Sequence, residues 1–386
     1  MVPSASSYRF SNAVVDGRLL HDVSITTGNG FIASVSDKAQ FELDLTDYTA
    51  VPSFIDVHTH GMLGVDTASL NKNLMAEWLT ALPKTGTLRI VPTLVSSDRK
   101  TTQAFLESVK IARSTVLTEP YAEVVGARME GPFISRSKKG AHNEALLLEP
   151  SIENFINITG ELTSEVRIVD IAPEVGKAME LIGYLSKRGI IPSIGHSDSD
   201  AVTARKAISA GATEATHLFN AMRSIFHREP GIAGEILIND SINAEIINDP
   251  NHLSPGIIKL AVRSKGEDKI IGITDSIAAT LMPDGVYGLG SLSVTLKGGR
   301  CTVTGTDVIA GSVLTMDSAY RNFIDQGYSI LQTVKFLSTN PARILGLSDE
   351  GSIAPGKKAN ITIIDKRNKV AGVIKNGIYY DFRNQV

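Results

Sequence analysis

FIDVHTHG, residues 54–61, sets two histidines two positions apart at the end of an apolar run, in a chain that has only eight histidines. Residues i and i+2 of a strand point to the same side. His58 and His60 can therefore face one ion together, and the run reads as a strand that delivers both to its end.

Runs of the same texture recur downstream, short, apolar and often β-branched. They are LRIVPTLVS (88–96), EVVGARME (123–130), VRIVDIAP (166–173), GIIPSIGH (189–196), EATHLF (214–219), NAEIIND (243–249) and KIIGITD (269–275). Helical patterns lie between most of them: NKNLMAEWLTALPKTG closes on Gly86 and DAVTARKAISAG on Gly211, each with 3.6-residue spacing and a terminal glycine. Eight strands with intervening helices predict an α/β fold, a (β/α)8 TIM-type barrel. Residues 8–52 instead alternate apolar and polar between glycine and asparagine breaks, and the tail from 345 returns to strands and turns. The expected organisation is a barrel over 53–344 and a small β-sandwich domain built from both chain ends, 1–52 plus 345–386. Residues 285–311 read as loops and hairpins.

Composition narrows the function. The 386 residues carry a formal net charge of -3 and no long basic run, which argues against nucleic acid as a partner. No apolar run approaches the roughly 20 residues of a membrane helix. The start MVPSASSYRF lacks the pattern of a secretory signal. The one cysteine, Cys301, excludes an intramolecular disulfide and fits a reducing compartment. The expectation is a cytoplasmic protein. Cys301 has no histidine beside it in sequence and is not read as a nucleophile.

In such a barrel the active site lies at the C-terminal ends of the strands. His58 and His60 close the first run, Glu130 the third, His196 the fifth and Asp275 the eighth, and His217 lies near the end of the sixth. All are groups that bind a divalent metal or move protons. Each alone has an ordinary reading: a strand-end histidine finds a hydrogen bond, Glu130 is a helix-start acid, Asp275 an N-cap. Their coincidence at one end of one barrel favours a metal-dependent active site.

FIDVHTHG resembles the first-strand signature of the amidohydrolase superfamily. The further runs MEGPFIS, KKGAHN, SIGHSD, THLFNAM, REPGIAGEIL, ITDS and NPARILGL, the last followed by PGKKANITIID, are similar to the N-acetylglucosamine-6-phosphate deacetylase family over nearly the whole chain. The chain departs from that pattern at Ser53, at NDPNH and after Asp275. The resemblance implies a (β/α)8 barrel with a small β-sandwich, a homodimer, and hydrolysis of the acetamide of an amino sugar 6-phosphate. It implies Glu130, His196 and His217 as ligands of the principal metal, His58 and His60 as ligands of a second metal in some members, and Asp275 as the catalytic acid/base. It places Ala141 and His142, Asn220 and Ala221, and Ile309, Ala310 and Gly311 against the sugar. Arg228 and His252 match phosphate-binding positions that the family can draw from the partner subunit. One or two divalent ions per subunit are implied: zinc first, with iron, manganese or cobalt compatible with the same ligands. Among rivals, a cyclic-amide hydrolase of the superfamily would bridge two metals with a carboxylated lysine on the fourth strand, and VRIVDIAPE has none. A deacetylase of the galacto epimer is not distinguished by these residues. A non-catalytic scaffold would have lost ligands, and all six are present.

Overall fold

The computed structural model describes residues 6–37 and 40–383. Its centre is a ring of eight parallel strands: Phe54–Thr59, Thr87–Val95, Ala127–Glu130, Val166–Ile171, Ile191–Ile194, Glu214–Ala215, Asn243–Ile247 and Ile270–Ile273. The ring is nearly closed, and a bridge from Thr59 to Ser276 spans the gap between first and eighth strands. There Asp275 N–H donates to the His58 carbonyl at 2.9 Å and His60 N–H to the Ser276 carbonyl at 2.7 Å. Every residue of the first two strands is buried. A parallel sheet covered on one face by helices and on the other by its own interior needs such strands.

The helices between strands start where polar side chains satisfy their free N–H groups. Asn71 accepts from the main chain of Asn73 and Leu74, Asp98 from Thr101, Ser151 from Asn154 and Asp200 from Thr203. The helix expected to run to Gly86 is α-helical only over Lys72–Ala81 and tightens to a 3-10 turn, Leu82–Thr85. Pro83 is the reason, since it has no N–H to give to the helix ladder.

Strands from both chain ends form one mixed seven-stranded sheet, in the order Ile378–Asp381, Val370–Lys375, Ile361–Ile364, Leu43–Pro52, Ser6–Val15, Arg18–Gly28, Phe31–Ser36. It has its own apolar cluster, including Phe10, Ile25, Leu45, Ile361 and Ile374. Its strand Leu43–Pro52 feeds through Ser53 into the first barrel strand, so the sheet fixes where FIDVHTHG enters the barrel. Buried Arg89 on the second barrel strand ties the two together through Glu350 at 2.5 Å and Glu123 at 2.8 Å, and Lys375 reaches Glu123 at 3.2 Å. The expected hairpins appear as a three-stranded sheet, Gly285–Leu289, Leu292–Lys297 and Arg300–Val303, which stands over the barrel mouth.

The strand ends differ from the sequence reading where function concentrates. The fifth, sixth and eighth strands each stop two residues before His196, His217 and Asp275, and those three residues have positive φ, 47°, 27° and 52°. That conformation turns each chain out of its strand at the ligand itself. Each such position costs about 1–3 kcal/mol and persists only where its surroundings impose it.

Candidate metal centre and active site

A cavity of about 460 Å³ opens at the barrel mouth, with His60, Glu130, His142, His196, His217 and Asp275 among its lining residues. Glu130 lies at the centre of them. Its Oε1 is 2.9 Å from His217 Nε2, 3.1 Å from His196 Nε2 and 3.3 Å from His58 Nε2. Its Oε2 is 3.2 Å from His60 Nε2 and 3.4 Å from His142 Nε2. Asp275 Oδ1 faces His60 Nε2 at 3.1 Å and His58 Nε2 at 3.5 Å. His58 lies beneath this surface, fully buried.

In His58, His142 and His196 the second ring nitrogen fixes what the first presents. His196 Nδ1 is 2.8 Å from the Lys138 carbonyl and His58 Nδ1 is 3.1 Å from Glu245 Oε2. A carbonyl and a carboxylate only accept, so each Nδ1 donates, and in the neutral ring Nε2 points a lone pair at Glu130. His142 is reversed. The Ser96 main-chain N–H donates to its Nδ1 at 3.2 Å, with Ser96 Oγ at 2.8 Å, so the neutral ring carries its hydrogen on Nε2. Burial holds the His142 pKa down at about 4. His142 is thus a neutral hydrogen-bond donor into the cavity, although it lies within ligating reach of the same point as Glu130 and His196.

These donors fit a divalent cation. His196 Nε2 and His217 Nε2 approach to 3.1 Å in front of a carboxylate, and the buried His58 Nε2 makes no hydrogen bond. Acceptors crowded against acceptors need a shared positive charge. Without an ion, protons supply it. Burial disfavours the His60 imidazolium, but hydrogen bonds to Asp275 and Glu130 outweigh that and hold its pKa up at about 9. Burial would raise Asp275, yet the charge of His58 and the hydrogen bond from His60 pull it down to about 2. Ligand atoms of His58, His60, Glu130 and Asp275 all lie within 4.8 Å of one another. Imidazole with carboxylate is a donor set for zinc, iron, manganese or cobalt. Zn(II) added to chelator-treated protein at a hundredfold excess over its dissociation constant is expected to raise Tm by about 3 °C. An unchanged melting curve would argue against an ion in this cluster.

Buried polar groups beneath the ligands hold them in place. Arg128 forks onto Asp170, Nη2 to Oδ1 at 2.9 Å and Nε to Oδ2 at 3.1 Å, and also donates to Glu245. Asp56 accepts from Thr274 Oγ1 at 2.5 Å and from the main chain of His58 and Thr274, both at 3.3 Å. Burial raises its pKa to about 6, against the pull of Thr274. The sequence reading passed over Asp56, Ser96, Arg128, Asp170 and Glu245. Strand periodicity carried a signal for two of them: Asp56 precedes His58 by two residues and Arg128 precedes Glu130 by two, each a charge on the ligand's side of an apolar strand.

Among the other sequence candidates, Ala141, Asn220, Ala221, His252, Ile309 and Gly311 line the cavity, joined by Lys138 and Arg300. Asp249 Oδ2 lies 2.9 Å from His252 Nδ1. Burial opposes the charge on His252, but Asp249 outweighs it and raises the pKa. Ala310 is turned away into the apolar cluster of the hairpins with Ile277, Val294 and Cys301. Arg228 lies on an exposed turn between Phe226 and Glu229 and does not line the cavity of its own chain. Glu229, instead of pairing with it, accepts from the main chain of Gly231 at 2.9 Å and Ala201 at 3.2 Å. Burial pushes the Cys301 thiol up to about 11, so the thiolate a nucleophile needs is disfavoured.

Residues 49–379 match the amidohydrolase family. The chain is 32% identical to N-acetylglucosamine-6-phosphate deacetylase of Bacillus subtilis (strain 168), covering 94% of this chain and 97% of that protein. It is 30% identical to N-acetylgalactosamine-6-phosphate deacetylase of Escherichia coli O157:H7, over 90% of this chain and 91% of that one. Among solved structures, a mutant N-acetyl-D-glucosamine-6-phosphate deacetylase of Mycobacterium smegmatis, in complex with N-acetyl-D-glucosamine-6-phosphate, superposes with a TM-score of 0.91 at 30% identity, over 97% of this chain and 99% of that one. No helix among the described residues is long and apolar enough to cross a membrane.

Proposed function

Since the chain belongs to the amidohydrolase family, among its N-acetylglucosamine-6-phosphate deacetylases, we propose that it hydrolyses the acetamide of N-acetylglucosamine 6-phosphate to glucosamine 6-phosphate and acetate. The observation that carries this reading is Glu130, with five histidine Nε2 atoms and the neighbouring Asp275 carboxylate converging on it at one wall of a sugar-sized cavity. Glu130, His196 and His217 would hold the principal ion, and His58 and His60, with Asp275 beside them, a second. We assign zinc as the resident ion. A divalent ion bound there supplies Lewis-acid activation of water and of the amide carbonyl.

The chain's own groups do the rest. Asp275, ionised through the neutral range, accepts the proton of the attacking water at its carboxylate and delivers it to the amide nitrogen, which must be protonated to depart. His142 Nε2–H donates to the carbonyl oxygen as negative charge develops on it. Asn220 and the main chain at Ala221, Ile309 and Gly311 position the ring. His252, with its raised pKa, lies in the cavity wall where a phosphate would meet it, and Arg228 completes that end from the partner subunit of a homodimer. Its exposed turn, with Phe226 at 61% exposure and Ile225 at 44%, supports such a contact. The single cysteine and the phosphorylated sugar fit a cytoplasmic enzyme.

The test is acetate release from N-acetylglucosamine 6-phosphate, its unphosphorylated form and the galacto 6-phosphate. The expected order in kcat/KM is gluco 6-phosphate first, with the unphosphorylated sugar lower by about 10²-fold or more, because a buried anion site loses its charged partner. The deacetylase of the galacto epimer among the relatives makes that sugar the second reading, and faster turnover of it would establish it. His252→Ala is expected to raise KM for the 6-phosphate about tenfold and leave the unphosphorylated sugar unaffected. Equal loss on both would remove His252 from the phosphate site.

A further inference from the structure

Glu245, which the chemistry above does not use, touches one ligand from each half of the metal centre. It stands on the seventh strand with no exposed surface. Its Oε2 lies 3.1 Å from His58 Nδ1, and the same oxygen accepts the main-chain N–H of His217 at 3.1 Å and Arg128 Nη2 at 3.2 Å. Arg128 Nη1 donates to its Oε1. The first and sixth strands are not neighbours in the ring, so this contact crosses the barrel interior.

We propose that Glu245 is a positioning residue that couples two divalent-ion sites, one formed by His196, His217 and Glu130, the other by His58, His60 and Asp275 with Glu130. This rests on the reading of the cluster as a metal centre.

Three donors on one oxygen fix it by their sum, so a displacement of the His58 ring or of the His217 main chain is felt by the other. His217 sits at φ 27°, where its N–H bond to Glu245 holds an unfavourable backbone in place. His58 depends on Glu245 to keep its hydrogen on Nδ1 and its lone pair on Nε2. An ion at either half orders Glu245, and the second ion then meets ligands already ordered. That is a coupling free energy between sites, and it is reciprocal. Glu130 gives a second link, since it touches both halves.

The experiment strips the whole chain of metal with a chelator and titrates it with Zn(II) by calorimetry, with elemental analysis for stoichiometry and thermal melts for folding. The variants are Glu245→Gln, His58→Ala and the double variant. Glutamine keeps the volume, but its NH2 must face either Arg128 or the His58 and His217 pair. Facing His58, it forces the imidazole hydrogen to Nε2 and withdraws that ligand. The parent is expected to bind two ions. Glu245→Gln is expected to bind one, at least tenfold more weakly than the parent's tighter ion. His58→Ala is expected to weaken the remaining ion at least threefold, and the double variant to be no weaker than Glu245→Gln alone. A Glu245→Gln protein that binds two ions within threefold of the parent overturns the proposal, as does full multiplication of the two single effects. A parent that binds a single ion removes the coupling and leaves the deacetylase reading standing; a parent that binds none removes the metal-centre reading itself. If Glu245→Gln does not melt cooperatively, Glu245→Asp replaces it. Aspartate keeps the charge near Arg128 but draws it back by one methylene from His58, and the same loss of one ion is expected.

Discussion

Asp275→Asn is expected to lower kcat for N-acetylglucosamine 6-phosphate about 10³-fold, near 4 kcal/mol of barrier, while the protein still folds and keeps the ion held by Glu130, His196 and His217. The two side chains have almost the same shape, and the backbone at 275 is held by other contacts. Its N–H donates to the His58 carbonyl at 2.9 Å and its carbonyl accepts from Ser312 N–H at 2.7 Å. What asparagine lacks is the ability to take a proton from water and give it up again. The aspartate is well placed for both. Its pKa is drawn to about 2 by His58 and His60 against the effect of burial, below the usual value of about 3.9, so the base form is present across pH 5–8. An ion bound by those histidines carries the same sign of charge and keeps the carboxylate ionised. Rate of acetate release together with elemental analysis checks this. Turnover within about tenfold of the parent, with ion content unchanged, would give the proton transfer to another group.

The barrel was legible because of what a parallel ring demands of its strands. Residues 88–95 and 166–171 carry apolar residues on both faces, broken only by Arg89, Thr93, Arg167 and Asp170, and few other elements need that. One helix end was readable from Gly211, which does close Ala201–Ala210. Strand ends were less so. The sixth strand is only Glu214–Ala215, because the chain turns at His217. A sequence shows no sign of a histidine at positive φ, since that conformation is imposed by partners distant in the chain, here Glu245 for His217 and Lys138 for His196.

The same asymmetry governs the site. Histidines and acids at strand ends stand out against apolar runs, and their chemistry is limited, so the ligand candidates could be named. Most of their supports could not. Asp170 and Glu245 each look like single charges in a strand, and only the closed ring brings them into contact with Arg128. His142 shows the limit most clearly. Its residue type permits either a metal ligand or a hydrogen-bond donor. The choice is made by the main-chain N–H of Ser96, a group that every residue except proline carries and that leaves no trace in sequence.

Glu130→Gln is expected to lose more metal affinity than the about 10–100-fold that removal of a supporting hydrogen-bond partner costs, and with it essentially all deacetylase activity. Glu130 touches His58, His60, His142, His196 and His217, so no other substitution alters as many contacts in the cluster. Burial would push its pKa up, but the charge of His58, the Nε2–H of His142 and the adjoining His196 and His217 rings hold it well below the usual range. In glutamine one oxygen becomes an NH2. If that NH2 faces His196 and His217 it occupies their lone pairs; if it faces His60 and His142 it meets the Nε2–H of His142. Either way one side of the cluster is closed to an ion. The metal-free protein reports the same change independently. With the Glu130 charge gone, His60 keeps only Asp275 as a counter-charge, and its pKa, held near 9 by both acids, should fall toward or below the ordinary histidine value of about 6.5. Following the His60 ring by NMR through pH 5–10, with ion content measured in parallel, separates the two effects. Retention of parental ion content in Glu130→Gln would show that the ion is not held by Glu130, whatever the activity.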